Sequence, residues 1–356
     1  MGGNFLANLL LVAALNHLWS MLNGLQLTTH MQLFNLKFPA NAGFLLNFLV
    51  NVATFDIMPI EGIWFFFDLP EKGAFNLSFQ SSGYEYTYLV ENMGTCFFLV
   101  QIYLTSCIVT LLIFLLIRFA RLNKLQNIFE KLKNNLFWSI ALRFIFESYL
   151  ELALCITIGL LNLEWSNSNF SVGYNYIWTI CFAFVILVLP LFTTVFYYCR
   201  LDYIDEEEFT KKYGTLYSGL QLDMVENKRK SALLFPSLFL IRRLVFTAVI
   251  IWLDWFVWAQ IAMQCASCVI MIIYFGHVWP FDTHIITKLE IFNEVVAMVM
   301  CYFMLCFTDW VNKATIRYLV GWIFIVIVCL HLFTHLLMLV YNAFATFKDK
   351  RRIKAH

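Results

Sequence analysis

Five basic side chains, Arg118, Arg121, Lys124, Lys131 and Lys133, stand between two apolar runs that are each long enough to cross a bilayer as a helix. The run before them, Met93–Ile117, carries no charge, and the run after them is Leu136–Leu163. Against the five there is a single acid, Glu130. Short loops rich in Lys and Arg stay on the cytosolic side of a membrane, so residues 118–136 are placed inside and later segments are counted from there.

Composition agrees with a chain solvated by lipid. Residues are 61% hydrophobic and 13% charged, where a soluble domain carries about 25% charged. The 38 phenylalanines are too many to bury under so few surface charges, unless lipid covers much of the surface. The net charge of +1 carries no signal for nucleic acid. The expected fold is an all-α polytopic transmembrane helix bundle. Its seven spans run over 93–118, 137–163, 174–199, 234–254, 256–278, 288–309 and 317–346. The division along the chain is 1–92 as N-terminal helices and an extracytoplasmic aromatic loop, 93–347 as the bundle with cytosolic loops 118–136 and 200–233, and 348–356 as a basic cytosolic tail.

The basic residues test this count. Seventeen of the 24 Lys and Arg fall on the side predicted to be cytosolic, and only Lys37, Lys72, Lys313 and Arg317 fall outside. Arg143, Arg242 and Arg243 lie within spans. Two Asn-x-Ser acceptors, Asn76 and Asn169, both fall on the predicted outer face, where glycosylation occurs. Before residue 92 the pattern is mixed. Phe5–Leu27 is interrupted by Asn8, Asn16, His17 and Asn23, and Ala42–Met58 contains Asn47, Asn51 and Asp56. One or both of these cross the bilayer or lie along its outer interface. Residues 59–91 read as an outer loop, with short strands around Tyr84–Tyr88.

Charges inside spans are costly, so each points to pairing or function. Arg143, Glu147 and Glu151 recur every four residues and share one helix face. Arg242 and Arg243 lie in the fourth span, and Glu290, Asn293 and Glu294 near the start of the sixth. One account is an ion-pair lattice with an arginine against Glu147, Glu290 or Glu294; the other is a polar lining for an ion path. His331 and His335 share a face at a spacing that suits a metal, although a polar packing stripe is the commoner use of such a pair. Cys265 and Cys268 form a CxxC pair inside a span, where packing is the commoner use than redox chemistry. The acidic run Asp202–Glu208 lacks the ligand alternation of a Ca2+ loop. No phosphate loop, nucleophile elbow or dinucleotide turn is present, so neither an enzyme nor a cofactor is expected.

Two stretches, Lys212-Tyr-Gly-Thr-Leu-Tyr217 and Phe239-Leu-Ile-Arg-Arg-Leu-Val-Phe246, resemble the transient receptor potential-like membrane domain of fungal flavin-carrier and polycystin-like proteins. The resemblance to the version in ciliate surface membrane proteins is wider. It includes His17-Leu-Trp-Ser-Met-Leu-Asn-Gly-Leu-Gln26, Phe38-Pro-Ala-Asn41, Thr54-Phe-Asp-Ile-Met-Pro59, Pro280-Phe281, Leu289-Glu-Ile-Phe-Asn-Glu294 and Arg317-Tyr-Leu-Val-Gly-Trp322. In that group the domain follows a very large ectodomain, so this chain reads as a membrane domain standing alone or a piece of a longer product. The resemblance implies cation conduction or its regulation, in a plasma or ciliary membrane, with the C-terminus in the cytosol.

The sequence restrains that expectation. The outer connection Asp309–Arg317 is too short for a re-entrant pore helix and filter, and there is no arginine ladder to sense voltage. Two rivals stay open: an anchor or assembly subunit for an extracellular filament or large ectodomain, and a lipid or small-molecule carrier. The partners implied are membrane lipids, a second copy of the chain, or a large extracellular protein, with no nucleic acid.

Overall fold

The computed structural model describes residues 21–53, 69–119, 141–206 and 209–355, apart from 22, 71, 165–168, 211, 212, 218, 224 and 225. The basic loop 120–140, most of the first apolar run and the Thr54–Pro59 motif lie outside the described residues. The described residues include the helices α1 (Ala40–Ala53), α2 (Leu77–Ser81), α3 (Leu89–Phe119), α4 (Ala141–Leu161), α5 (Phe170–Cys199), α6 (Glu226–Leu233), α7 (Phe235–Trp252), α8 (Val257–Val278), α9 (His284–Leu305) and α10 (Ala314–Ala355). Residues 23–30 are also helical. There is no β-strand among the described residues. The protein is thus an all-α, polytopic integral membrane protein.

Among the described residues six stretches are long and apolar enough to cross a membrane: Cys96–Phe119, Phe144–Leu161, Phe170–Cys199, Glu226–Trp252, Val257–Val278 and Ala314–Tyr341. The expected count was seven. The difference is α9, which has the length to span, about 33 Å at 1.5 Å per residue, but carries Lys288, Glu290 and Glu294 within two turns. Lipid alone would not solvate those charges, so α9 relies on protein neighbours. The 14 residues of α1 reach about 21 Å and do not span by length. The strands expected around Tyr84–Tyr88 are absent. The Asn92 side chain takes both backbone groups of Tyr86, accepting from its N–H and donating to its carbonyl, which leaves nothing there for a ladder partner.

The chain forms two compact units, one from residues 56–251 and one from 1–55 together with 252–356. In the first, α4 packs on α3 and α5. Its residues Tyr149, Leu150, Leu154, Cys155 and Ile158 are almost wholly buried, whereas most of the C-terminal half of α3 is exposed, as a lipid-bathed helix is. α3 is broken at Gly94 (φ 46, ψ −121), a conformation open to glycine, and the span begins just beyond the break. The amide of Val90 at the start of α3 donates to Asn175 Oδ1 on α5, so a side chain from another helix satisfies an orphan N–H. At the other end, Tyr197 donates to the Leu216 carbonyl and Tyr217 to the Ile204 carbonyl, which fold the loop after α5. Arg229 pairs with Asp205 at 2.7 Å and joins the basic end of that loop to its acidic end.

Pro190 lies within α5 and has no N–H to offer the carbonyl of Ile186. The phenol of Tyr149, on α4, donates to that carbonyl at 2.8 Å in a fully buried bond. The tyrosine therefore repairs the defect that the proline creates. Tyr149→Phe is expected to cost about 1–3 kcal/mol, the penalty for an orphaned buried acceptor. Thermal unfolding in detergent reads it, and a change below a few tenths of a kcal/mol would show that the carbonyl finds another donor.

In the second unit α8 packs on α9, α9 on α10, and α1 on α10. Segment 31–41 lies across one end. Asn35 donates to the Asp254 carbonyl, Phe38 meets Phe307 at 5.7 Å between ring centroids, and Asn41 donates to the Tyr318 carbonyl at 2.9 Å. The turns on either side of α8–α9 are thereby brought to the same end, where Trp252, Trp255, Phe256, Trp258 and Trp310 are exposed. Such a ring of indoles marks a membrane–water interface.

Candidate functional site

The deepest polar cluster lies in the second unit, where α9 faces α10. On α9, Glu290, Asn293 and Glu294 follow one another at three- and four-residue spacing and so share a face. On α10, His331 and His335 do the same. The two elements meet at Asn293. His331 Nε2 lies 3.0 Å and His335 Nε2 2.7 Å from Asn293 Oδ1. The Asn293 Nδ2 donates to Glu290 Oε2 at 3.4 Å, a long bond that fixes which way the amide points. The rings of the two histidines are edge-to-face, 4.8 Å between centroids. Phe292 covers the other side of His331 at 5.8 Å.

Most of this is inside protein, with Glu290 and Phe292 half-buried at its edge. Asn293, Glu294, His331 and His335 are 6, 4, 2 and 2% exposed. Segment 23–30 closes the site through Gly24. A methyl group there would lie 3.3 Å from the His331 ring and 3.4 Å from the Asn293 amide, tighter than most real contacts. Asn293 stands nine residues into α9, about 14 Å from its His284 end. Gln260, Gln264 and Thr287 are also buried in this unit, so its interior is hydrophilic well beyond the two histidines.

The amide oxygen of Asn293 is an acceptor only. Both imidazoles must therefore carry a hydrogen on Nε2, and their lone pairs sit on Nδ1. The histidine pair converges on the asparagine rather than on an open point between two lone pairs, which a metal requires. Among the described residues no group of three His, Cys, Asp or Glu is placed to hold a metal ion.

The other predicted site residues belong to the 56–251 unit. Arg243 is buried, donates to the Phe146 carbonyl at 3.1 Å and lies 3.9 Å over the Phe239 ring, which itself stacks on Phe146. That arrangement is an interhelical clamp between α4 and α7, in which the guanidinium bonds a carbonyl of one helix and lies on a ring face of the other. Arg242, Glu147 and Glu151 are half-buried, and the Arg143 side chain lies outside the described residues. The predicted polar set is thus divided between the two units. Of the CxxC pair, Cys268 is buried and accepts from Gln264, and all ten cysteines are free thiols.

Both glycosylation candidates are helix N-caps. Asn76 Oδ1 accepts from the Phe79 amide and Asn169 Oδ1 from the Ser171 amide. A glycan attaches to Nδ2, so capping and glycosylation do not compete. Lys72 pairs with Glu164 at 2.8 Å and Tyr88 packs with Val172 and Tyr176, which brings both acceptors to one end of their unit. The carboxylate of Glu164 beside it raises the Lys72 ammonium above its ordinary value.

Sequence reading missed Gly24, Asn175 and Tyr149. Pro190 inside an apolar run was the available signal for the last of these, because it announces a carbonyl in need of a donor. No family model matches the chain, and no curated protein and no solved structure matches it either.

Proposed function

We propose that this membrane protein conducts cations or controls their passage, and that the 252–356 part of the chain carries the site. The observation behind this reading is the set Asn293, Glu294, His331 and His335, all buried within apolar helices, with half-buried Glu290 beside them. Ionisable groups at that depth are expensive, and in membrane proteins they line ion or proton paths. A clamp between α9 and α10 would need only Asn293 and the histidines; the two carboxylates go beyond it and supply the negative charge that a cation seeks. Transient receptor potential-like conduction, implied by the sequence resemblance, is of the same class.

In the proposed orientation the basic loops and the C-terminus face the cytosol. The indole ring at the Trp252–Trp310 end and the two asparagine acceptors then face outside, in a plasma or ciliary membrane. The anchor reading has less support, because the described part of that region, from residue 69 on, is tied to its own unit by Lys72, Tyr88 and Val90.

Cation flux into proteoliposomes holding the full chain tests the proposal. Wild type is expected to pass cations, and Glu294→Gln to lower the flux about tenfold, which is 1.4 kcal/mol at the barrier. Wild-type vesicles as tight as empty ones, or a flux and selectivity indifferent to Glu294→Gln, would sink it.

A further inference from the structure

We propose that Asn293, His331 and His335 form a buried site for one proton. The inference deepens the reading above and rests on its choice of cluster, but proton binding here does not require that cations be conducted.

Three observations on the site carry it. First, one amide oxygen accepts from both imidazoles, which fixes both as Nε2–H tautomers and leaves the basic lone pairs on Nδ1. Second, the Nδ1 of His331 is buried and accepts no hydrogen bond among the described residues. An acceptor at this depth without a donor is an open position for something that brings a hydrogen. Third, the surroundings supply the countercharge. Glu290 is bonded to Asn293, and Glu294 lies one residue beyond Asn293 and is itself buried.

The ionisable groups on the neighbouring elements are few. Segment 23–30 meets the site at Gly24, and its one ionisable side chain, His30, is bonded to the Gln26 carbonyl. α8, against α9, has its cysteines, Tyr274 and, at the end that adjoins His284, His277. On α9 the one cation is Lys288, which lies between the His284 end and Glu290 and is exposed.

The proton adds to the lone pair of His331 Nδ1, and the O–H bond of the hydronium ion that delivers it breaks, leaving neutral water. The ring keeps its Nε2–H bond to Asn293, so no side chain need turn. Occupancy stops at one. With ring centroids 4.8 Å apart and a single shared acceptor, a second imidazolium would face the first across a low-dielectric gap. A metal ion is the poorer fit, because the nitrogens that converge there present hydrogens, not lone pairs.

Solid-state NMR of the full chain in lipid bilayers, labelled with 15N-histidine, distinguishes Nε2–H, Nδ1–H and imidazolium forms. The sequence holds seven histidines, so His331→Gln and His335→Gln assign the two signals. At neutral pH both residues are expected as Nε2–H tautomers. On acidification one imidazolium is expected to form, not two, and His331→Gln should remove that step. In wild type, an Nδ1–H tautomer at either residue, or two imidazoliums forming independently, would overturn the site. Cation flux from the same vesicles is read separately. Flux without the single-proton step leaves the conduction reading standing and removes this one; the step without flux does the reverse.

Discussion

Asn293→Leu is expected to destabilise the unit that holds α8, α9 and α10 by about 2–6 kcal/mol, because two buried imidazole N–H groups lose their acceptor at about 1–3 kcal/mol each. The lower end of that range is favoured. In a bilayer the unfolded helices find other partners, and measured interhelical bonds come out at about 0.6 kcal/mol on average. Even so, this substitution should exceed His335→Leu, which removes one donor and leaves the oxygen of Asn293 still bonded to His331. Thermal unfolding in one detergent reads all three proteins. If His335→Leu costs as much as Asn293→Leu, the shared-acceptor geometry is wrong.

The second large effect is one of sign. A glycine replaced by alanine within a helix ordinarily gains about 1 kcal/mol. Gly321→Ala should instead lose stability, by about 1–3 kcal/mol, as overpacked sites do. Gly321 lies in α10 under the side chain of Asn41, and a new methyl would come to 2.9 Å from the amide carbon and nitrogen and closer still to its oxygen. Asn41 would be driven off the Tyr318 carbonyl that it now holds. In an Asn41→Ala background the same change should recover its ordinary gain, so a double-mutant cycle isolates the contact. A Gly321→Ala protein that is stabilised in both backgrounds would contradict the close approach.

Hydropathy made the helices legible because it reports what solvent a segment accepts, and lipid accepts only uncharged, internally bonded backbone. It could not say which helices touch. That information sits in small and polar residues whose partners are hundreds of positions away. Asn41 and Gly321 come from two stretches noticed separately in the sequence, and so do Gly24 and Asn293; in each case the structure joins a glycine to an amide. The spacing of Glu290, Asn293 and Glu294 was readable as a helix face, as was that of His331 and His335. Their meeting at one oxygen was not, since no periodicity relates α9 to α10. α9 was taken for an ordinary span because its apolar residues outweigh three charges on average, while burial acts on each charge singly. The strands expected near Tyr84 failed for a local reason, the side chain of Asn92 standing in for a neighbouring chain. The division into two units left no mark on the sequence at all, because the second is assembled from both termini.

α10 continues as one helix from Ala314 to Ala355, past the end of its apolar stretch at Tyr341. Its 42 residues make a rod of about 63 Å with no proline or glycine after Gly321 to serve as a joint. Such a rod is a lever with its fulcrum among lipids. A lean of about 10° pivoting near His335 sweeps the far tip, about 30 Å away at Ala355, through roughly 5 Å, by the same 1.5 Å rise. Displacements too small to notice at the histidines are thereby magnified severalfold at the Lys- and Arg-rich end of the chain.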